Sequence, residues 1–86
     1  MEIKINVPAY SSENGVELDW EENFSISCSV DQETIKISAN QQGLISLAKH
    51  LLNIAQCEVP IHTHLHFDDY NSLQDGSCDL IIEKVK

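Results

Sequence analysis

The sequence predicts an α+β domain: a single, mostly antiparallel β-sheet of five or six strands with one α-helix packed on one face, in the order βββ(β)αββ. Two observations predict this fold. Only residues 40–56 place apolar side chains at helical spacing, whereas the segments on both sides alternate apolar and polar residues, as half-buried strands do. The links between these segments are short, which favours antiparallel neighbours. A chain of 86 residues is expected to form one small domain, residues 1–86.

The helix predicted over residues 40–56 carries a broad apolar face. The side chains expected on that face follow the i, i+3, i+4, i+7 pattern and its flanks: Leu44, Ile45, Leu47, Ala48, Leu51, Leu52, Ile54 and Ala55. The polar side chains expected on the opposite, solvent-facing side are Ser46, Lys49, Asn53 and Gln56. Asn40 is expected to cap the first turn by accepting from a backbone N–H two or three residues on. So wide an apolar face predicts that the sheet lies directly beneath it.

Six segments have the alternation of strands. They are residues 2–7, 16–20, 24–30 and 34–39 before the helix, and residues 61–67 and 78–85 after it. The last segment is apolar on both faces, which is typical of a central strand or of an interface. Asp68–Ser77 has the composition of a loop, and Leu73 is expected to tuck that loop against the core.

Charge limits the possible partners. Fourteen acidic residues against five lysines give a net charge of −9, and no basic residue lies between Lys4 and Lys36. Nucleic acids and anionic membranes need a basic surface, so neither is an expected partner. A basic protein or a cation fits better, although an acidic surface also arises for solubility alone. Residues 1–10 have no signal-peptide pattern and no apolar run approaches 18 residues, so a cytoplasmic location is expected.

The cysteines and the missing motifs argue against an enzyme. Three widely spaced cysteines (Cys28, Cys57 and Cys78) form neither a complete disulfide framework nor a CxxC zinc motif, so reduced thiols are expected. The chain has no nucleophile elbow and no glycine-rich phosphate loop. We therefore expect no catalytic residues and no cofactor.

Three histidines alternate along the predicted strand at residues 61–67. His62, His64 and His66 are expected to share one face, with successive residues about 6.6–6.8 Å apart from Cα to Cα. Two neighbours could bind one ion, but a zinc site needs further ligands that the pattern does not supply. An ordinary polar strand face is the favoured interpretation, and a small metal-binding domain is the alternative.

A lone tryptophan lies among carboxylates. Glu17, Asp19, Glu21 and Glu22 surround Trp20. The favoured interpretation is that Trp20 anchors the core together with Leu18. The sharper hypothesis is a partner-binding surface, because tryptophan is enriched at interface hot spots and an acidic rim steers a basic partner.

An ordered set of residues, mostly in the C-terminal half, carries a family resemblance: Asn40, Gly43, Leu44, Leu47, Ala48, Leu51 and Leu52, then His64, His66 and Asp68, then Asn71, Ser72, Leu73, Gly76 and Ser77, followed by Leu80-Ile81-Ile82-Glu83-Lys84. In this set the chain resembles the immunity protein 32 family of bacterial polymorphic toxin systems. The resemblance implies a small cytoplasmic protein, encoded beside a toxin, that binds and blocks that toxin without catalysis. It supplies no catalytic residues.

The expected partner is thus a cognate toxin with a basic surface. The candidate partner-binding residues are Glu17, Asp19, Trp20, Glu21, Glu22, His62, His64 and His66. The histidine face, together with Ile81 and Val85, could equally form a homodimer contact. Three hypotheses remain open: a toxin-neutralising protein, a metal-binding domain built on the histidines, and a sheet protein that associates with itself.

Overall fold

The computed structural model describes residues Met1–Lys86 and contains one helix and four strands. These are β1 (Ile26–Asp31), β2 (Thr34–Ala39), α1 (Gln41–Ile54), β3 (His64–Phe67) and β4 (Leu80–Glu83). The strands form two separate antiparallel sheets, β1–β2 and β3–β4. The prediction of a single sheet of five or six strands is therefore wrong, although the chain remains α+β in broad class. No helix has the length and apolar character needed to cross a membrane.

Residues 2–7 and 16–20 were expected to be strands but pair with no other strand. In the second segment, a helix side chain replaces the hydrogen bond that a neighbouring strand would have made. The Asn53 Nδ2 donates to the Glu17 carbonyl at 2.7 Å. The alternation in residues 16–20 still predicts which side chains face the core. Its apolar members pack against the core and are Val16, Leu18 and Trp20. Alternation alone therefore predicted which side chains face inward, but not a strand partner.

β1 and β2 form a hairpin with register from Ile26↔Ala39 to Asp31↔Thr34. Ile26 and Cys28 of β1 are buried in the core. The apolar residues nearer the turn are exposed, and they are Val30, Ile35 and Ile37. The hairpin is thus anchored at one end and projects at the other.

The start of α1 is fixed by Asn40, as predicted. Its Oδ1 accepts from the Gly43 N–H at 2.8 Å and from the Ser25 N–H at 3.0 Å, so one cap also holds the chain that enters β1. Gly43 permits a close approach here, because a Cβ at this position would press on the Ser25 carbonyl and lie 2.9 Å from the Ile26 side chain.

The helix lies with its predicted solvent side inward, so the predicted orientation is wrong. Its buried residues are Gly43, Ser46, Lys49, His50, Asn53 and Ile54. Leu44, Leu51 and Leu52, which were expected to cover a sheet, are 58%, 48% and 52% exposed. The physical reason is that the polar side chains find hydrogen-bond and ionic partners in the segment before β1, which makes their burial tolerable.

β3 and β4 close the core from the other side. Leu65 and Phe67 of β3 are buried, as is Leu73 in the loop, as predicted. The strand begins only at His64, since His62 has a positive φ of 72°. The His62 N–H donates to the Lys84 carbonyl while the Lys84 N–H donates to the Thr63 carbonyl, so two residues oppose one, as in a β-bulge.

Candidate functional site

The acidic segment lies along the polar side of α1. We call residues 17–22 the acidic strap. The Glu21 N–H donates to the Ser46 Oγ at 2.9 Å, and the Asn53 Nδ2 donates to the Glu17 carbonyl at 2.7 Å. Both helix side chains are buried, with Ser46 at 0% and Asn53 at 2% exposure. Side chains of the helix therefore hold the strap by its backbone.

One lysine ties down two of these carboxylates. Lys49 Nζ donates to Asp19 Oδ2 at 2.9 Å and to Glu21 Oε2 at 3.1 Å, while its own side chain is only 8% exposed. The hydrogen bonds to Asp19 and Glu21 raise the pKa of Lys49, outweighing the opposite effect of burial. Asp19 and Glu21 thus neutralise a buried charge, whereas Glu17 and Glu22 are exposed and pair with no basic group. Two of the four predicted acidic residues are therefore free to meet a partner.

Trp20 is half-buried in an aromatic cluster. Its ring stacks on Phe24 with centroids 4.5 Å apart and meets His50 and Phe67 edge-on at 4.2 and 5.5 Å. Contacts of this kind anchor a core. The favoured interpretation of Trp20 as a core residue agrees with this position.

His50 is a residue that the sequence reasoning missed. It is 0% exposed, and neither ring nitrogen has a hydrogen-bond partner. Burial, reinforced by the charge of Lys49, lowers its pKa to about 4, so the imidazole is neutral at pH 7. A signal was available: Ser46, Lys49, His50 and Asn53 follow the same i, i+3, i+4, i+7 spacing as an apolar face.

The side of α1 turned away from the core is apolar. Leu44, Leu51 and Leu52 form what we call the outer helix face, and each exposes about half of its surface or more. Leu52 lies one turn beyond Lys49, and residues three apart are neighbours on a helix surface. The outer helix face therefore begins one helical turn from Lys49, the residue that binds Asp19 and Glu21.

The histidines occupy a different surface. His64 and His66 are exposed on the outer side of the β3–β4 sheet while Leu65 and Phe67 are buried, so the alternation predicted there is confirmed. Opposite them in the register lie Glu83 and Ile81. His62 stands outside the strand at the bulge, and its Nδ1 is 2.8 Å from Glu83 Oε2. The structure thus places His64 and His66 on the outer side of the β3–β4 sheet and His62 at the bulge, where it meets Glu83.

One histidine belongs to a cluster of possible metal ligands. His66 Nε2 is 2.9 Å from Asp79 Oδ2. Ligand atoms of His66, Asp68 and Asp79 all lie within 4.8 Å of one another. His62 and His64 take no part in this cluster. The ligand set consequently differs from the three-histidine set considered from the sequence.

Comparison with known proteins gives one match. The model of a protein family described as Immunity protein 32 matches residues 34–85, from the start of β2 to just past β4. No curated protein and no solved structure matches the chain. The match covers more than half of the chain and includes α1 with its outer face, whereas the acidic strap precedes it.

Proposed function

Because this chain belongs to the immunity protein 32 family, we propose that it binds a cognate bacterial toxin and neutralises it by occlusion, without catalysis. The proposed partner is a toxin domain with a basic surface, and the proposed setting is the bacterial cytoplasm, with residues 1–86 acting as one domain. The observation that carries the proposal is the exposure of three leucines on α1, on a face that begins one helical turn from the lysine that binds the acidic strap.

The outer helix face would form the centre of the contact. Interfaces typically bury an apolar core inside a polar rim, and a few central residues supply most of the binding energy. Leu44, Leu51 and Leu52 are already exposed on a rigid helix, so covering them requires no rearrangement. Burying apolar surface of this kind is favourable by roughly 25 cal/mol per Å² removed from water.

The acidic strap would form the rim. Glu17 and Glu22 supply exposed, unneutralised charge, and the whole chain carries −9. Such a surface accelerates association with a basic partner and makes the association rate sensitive to salt. Trp20, Asp19 and Glu21 serve both purposes in this proposal, because they hold the strap in place and line its edge.

The test measures binding to the toxin domain encoded beside this gene and rescue of growth when that toxin is induced. Replacing Leu44, Leu51 and Leu52 by glutamine keeps helix propensity nearly unchanged. We expect the triple variant to remain folded, to dissociate at least about tenfold faster and to lose rescue, since hot-spot truncations cost roughly 2 kcal/mol or more. A folded triple variant that binds as tightly as the native protein would refute this surface.

The matched control lies on the histidine side. Ile81→Gln alters an equally exposed apolar residue, 58% accessible, that sits opposite His66. We expect it to leave binding unchanged. If Ile81→Gln weakens binding and the triple variant does not, then the histidine face with His62, His64 and His66 is the contact. If the native protein neither binds nor rescues, the proposed function itself fails.

The rim is tested separately with Glu17→Gln and Glu22→Gln. These two variants remove charge without disturbing Lys49, unlike amides at Asp19 and Glu21. We expect slower association and a flatter dependence on ionic strength, with the dissociation rate nearly unchanged. Association kinetics identical to the native protein at low salt would remove the strap from the interface.

Divalent-metal binding is a second candidate function, favoured by the cluster of His66, Asp68 and Asp79. One imidazole and two carboxylates suit ions such as zinc or manganese. Titration calorimetry of tag-free protein with zinc chloride should show one site that Asp79→Asn abolishes and His62→Gln preserves. No heat of binding, or equal loss in both variants, would eliminate a site at this cluster.

A further inference from the structure

Two cysteines that are 50 residues apart in the sequence meet in the core. Cys28 lies in β1 and Cys78 lies just before β4, yet their Sγ atoms are 3.2 Å apart. Cys28 is 2% exposed, whereas Cys78 is partly exposed. The third cysteine, Cys57, is exposed beyond the end of α1. The sequence separation of 50 residues between the two thiols gave no sign of this proximity.

The backbone holds the two thiols in place. The Cys78 N–H donates to the Cys28 carbonyl at 2.9 Å, and the Gln74 N–H donates to the Ile26 carbonyl at 2.8 Å. The Cys28 N–H in turn donates to the Ser77 Oγ at 3.1 Å. The segment before β4 therefore runs beside β1, and hydrogen bonds at the cysteine pair and just before it hold the two segments together.

We propose that Cys28 and Cys78 form a disulfide when the protein meets a small-molecule disulfide oxidant such as glutathione disulfide. A disulfide bond is about 2.03–2.05 Å long, so the sulfur atoms must approach by roughly 1.2 Å. Small rotations of the two side chains about their Cα–Cβ bonds supply movement on this scale. Cytosolic glutathione keeps such pairs reduced, so the bond marks exposure to oxidising conditions.

The order of the two steps follows from burial. The partly exposed Cys78 loses its proton, attacks one sulfur of glutathione disulfide and expels the other as a thiolate, forming a mixed disulfide. Cys28 then attacks the Cys78 Sγ and expels the second glutathione thiolate. The two protein thiols are oxidised, one glutathione disulfide is reduced to two thiols, and the two protein protons end on them. Burial and the hydrogen bond with Cys78 raise the pKa of Cys28 and make it the poorer nucleophile toward free glutathione disulfide, so Cys28 reacts second, when the mixed disulfide lies beside it.

The bond would join parts of the fold that strand pairing leaves separate. The β1–β2 hairpin and the β3–β4 pair belong to different sheets. A covalent link between Cys28 and Cys78 closes a loop of about 50 residues, which removes conformational freedom mainly from the unfolded chain. The oxidised form should therefore melt at a temperature roughly 10 °C higher, or more, than the reduced form.

The experiment starts from the Cys57→Ser protein, so that the exposed thiol takes no part. After incubation with glutathione disulfide, mass spectrometry should show the loss of two hydrogen atoms without an added glutathione, and peptide mapping should join Cys28 to Cys78. The Tm should rise and return to its starting value after reduction.

The control adds Cys78→Ser, a change at the less buried partner. We expect this double variant to form no internal link and to keep the same Tm with and without oxidant. Thiols that stay free, a reaction that stops at a glutathione adduct, or a linked form that melts no higher would each overturn the proposal. An equal rise in Tm in the double variant would overturn it too.

Discussion

The polarity of the two faces of α1 is the reverse of that in most surface helices, because the inward face is polar and the outward face is apolar. The inward face carries Ser46, Lys49, His50 and Asn53, and the outward face carries Leu44, Leu51 and Leu52. On the inward face three of the four polar residues are satisfied by the strap or by neighbouring side chains. The outward leucines have no such fixed partner. The difference indicates that the inner face specifies the fold, whereas the outer face is available for binding.

The largest expected effect concerns His50, which makes the inner face sensitive to pH. Its pKa is about 4 in the fold against 6.5 in the unfolded chain. Below pH 6.5 the unfolded chain takes up a proton that the folded protein excludes, so stability falls as the pH drops toward 4. The loss should reach up to about 3 kcal/mol, which corresponds to the pKa difference.

Urea unfolding of the native protein and of His50→Phe across this pH range tests the prediction. In the variant, the free energy of unfolding should no longer fall with pH to the extent that His50 causes. This pH dependence is informative even if the larger ring alters stability at pH 7. At pH 7 the phenyl ring also removes two unpartnered nitrogens from the core. Parallel pH dependences in the two proteins would show that His50 is not held neutral.

Asn53→Ala is expected to have the next largest effect. The Asn53 amide donates to the Glu17 carbonyl at 2.7 Å and accepts from the Gln56 Nε2 at 3.0 Å. Its removal leaves a partly buried carbonyl without its donor, which costs about 1–3 kcal/mol. Chemical denaturation should therefore report a loss near 2 kcal/mol and earlier proteolysis within the strap. Alanine is a better helix former than asparagine, so a loss of stability reports the missing hydrogen bonds and not a weaker helix.

These residues also show how far the sequence predicted the structure. The position of the helix, the Asn40 cap, the β1–β2 hairpin and the burial of Leu73 follow from local patterns and were predicted. The orientation of the helix was not, because a polar and an apolar set share the same helical period. Periodicity locates two faces, but the partners some 30 residues away decide which one is buried.

The candidate site shows the same limit. The acidic strap was identified from charge and from Trp20, but its sequence did not show that Lys49 neutralises Asp19 and Glu21. The outer helix face was expected to be core. Residues 16–20 add no strand because the strap bonds to helix side chains instead, and alternation of apolar and polar residues does not encode that choice.

Gly43→Ala should destabilise the protein despite the higher helix propensity of alanine. The added Cβ would press on the Ser25 carbonyl and on Ile26, which are backbone and core atoms that cannot simply move aside. Overpacking of this kind costs about 1–3 kcal/mol, against a gain of about 1 kcal/mol from propensity. Thermal unfolding should give a net loss of up to about 2 kcal/mol, while Gln41→Ala, exposed in the same turn, should change stability by less than about 0.5 kcal/mol. A stabilised Gly43→Ala protein would mean that the helix start is not packed so tightly.

The smallest effect is expected at the outer helix face. Leu44→Gln and Leu51→Gln should each change the free energy of unfolding by less than about 0.5 kcal/mol, because both side chains already meet water and glutamine suits a helix. If a second copy of the chain buried these leucines, each substitution would instead cost about 2–5 kcal/mol. The Tm of the native protein would then depend on protein concentration. Thermal unfolding at several concentrations, with light scattering, separates the two cases. An unchanged Tm with a monomeric mass leaves the leucines free for a different protein, whereas a concentration-dependent loss assigns them to a homodimer.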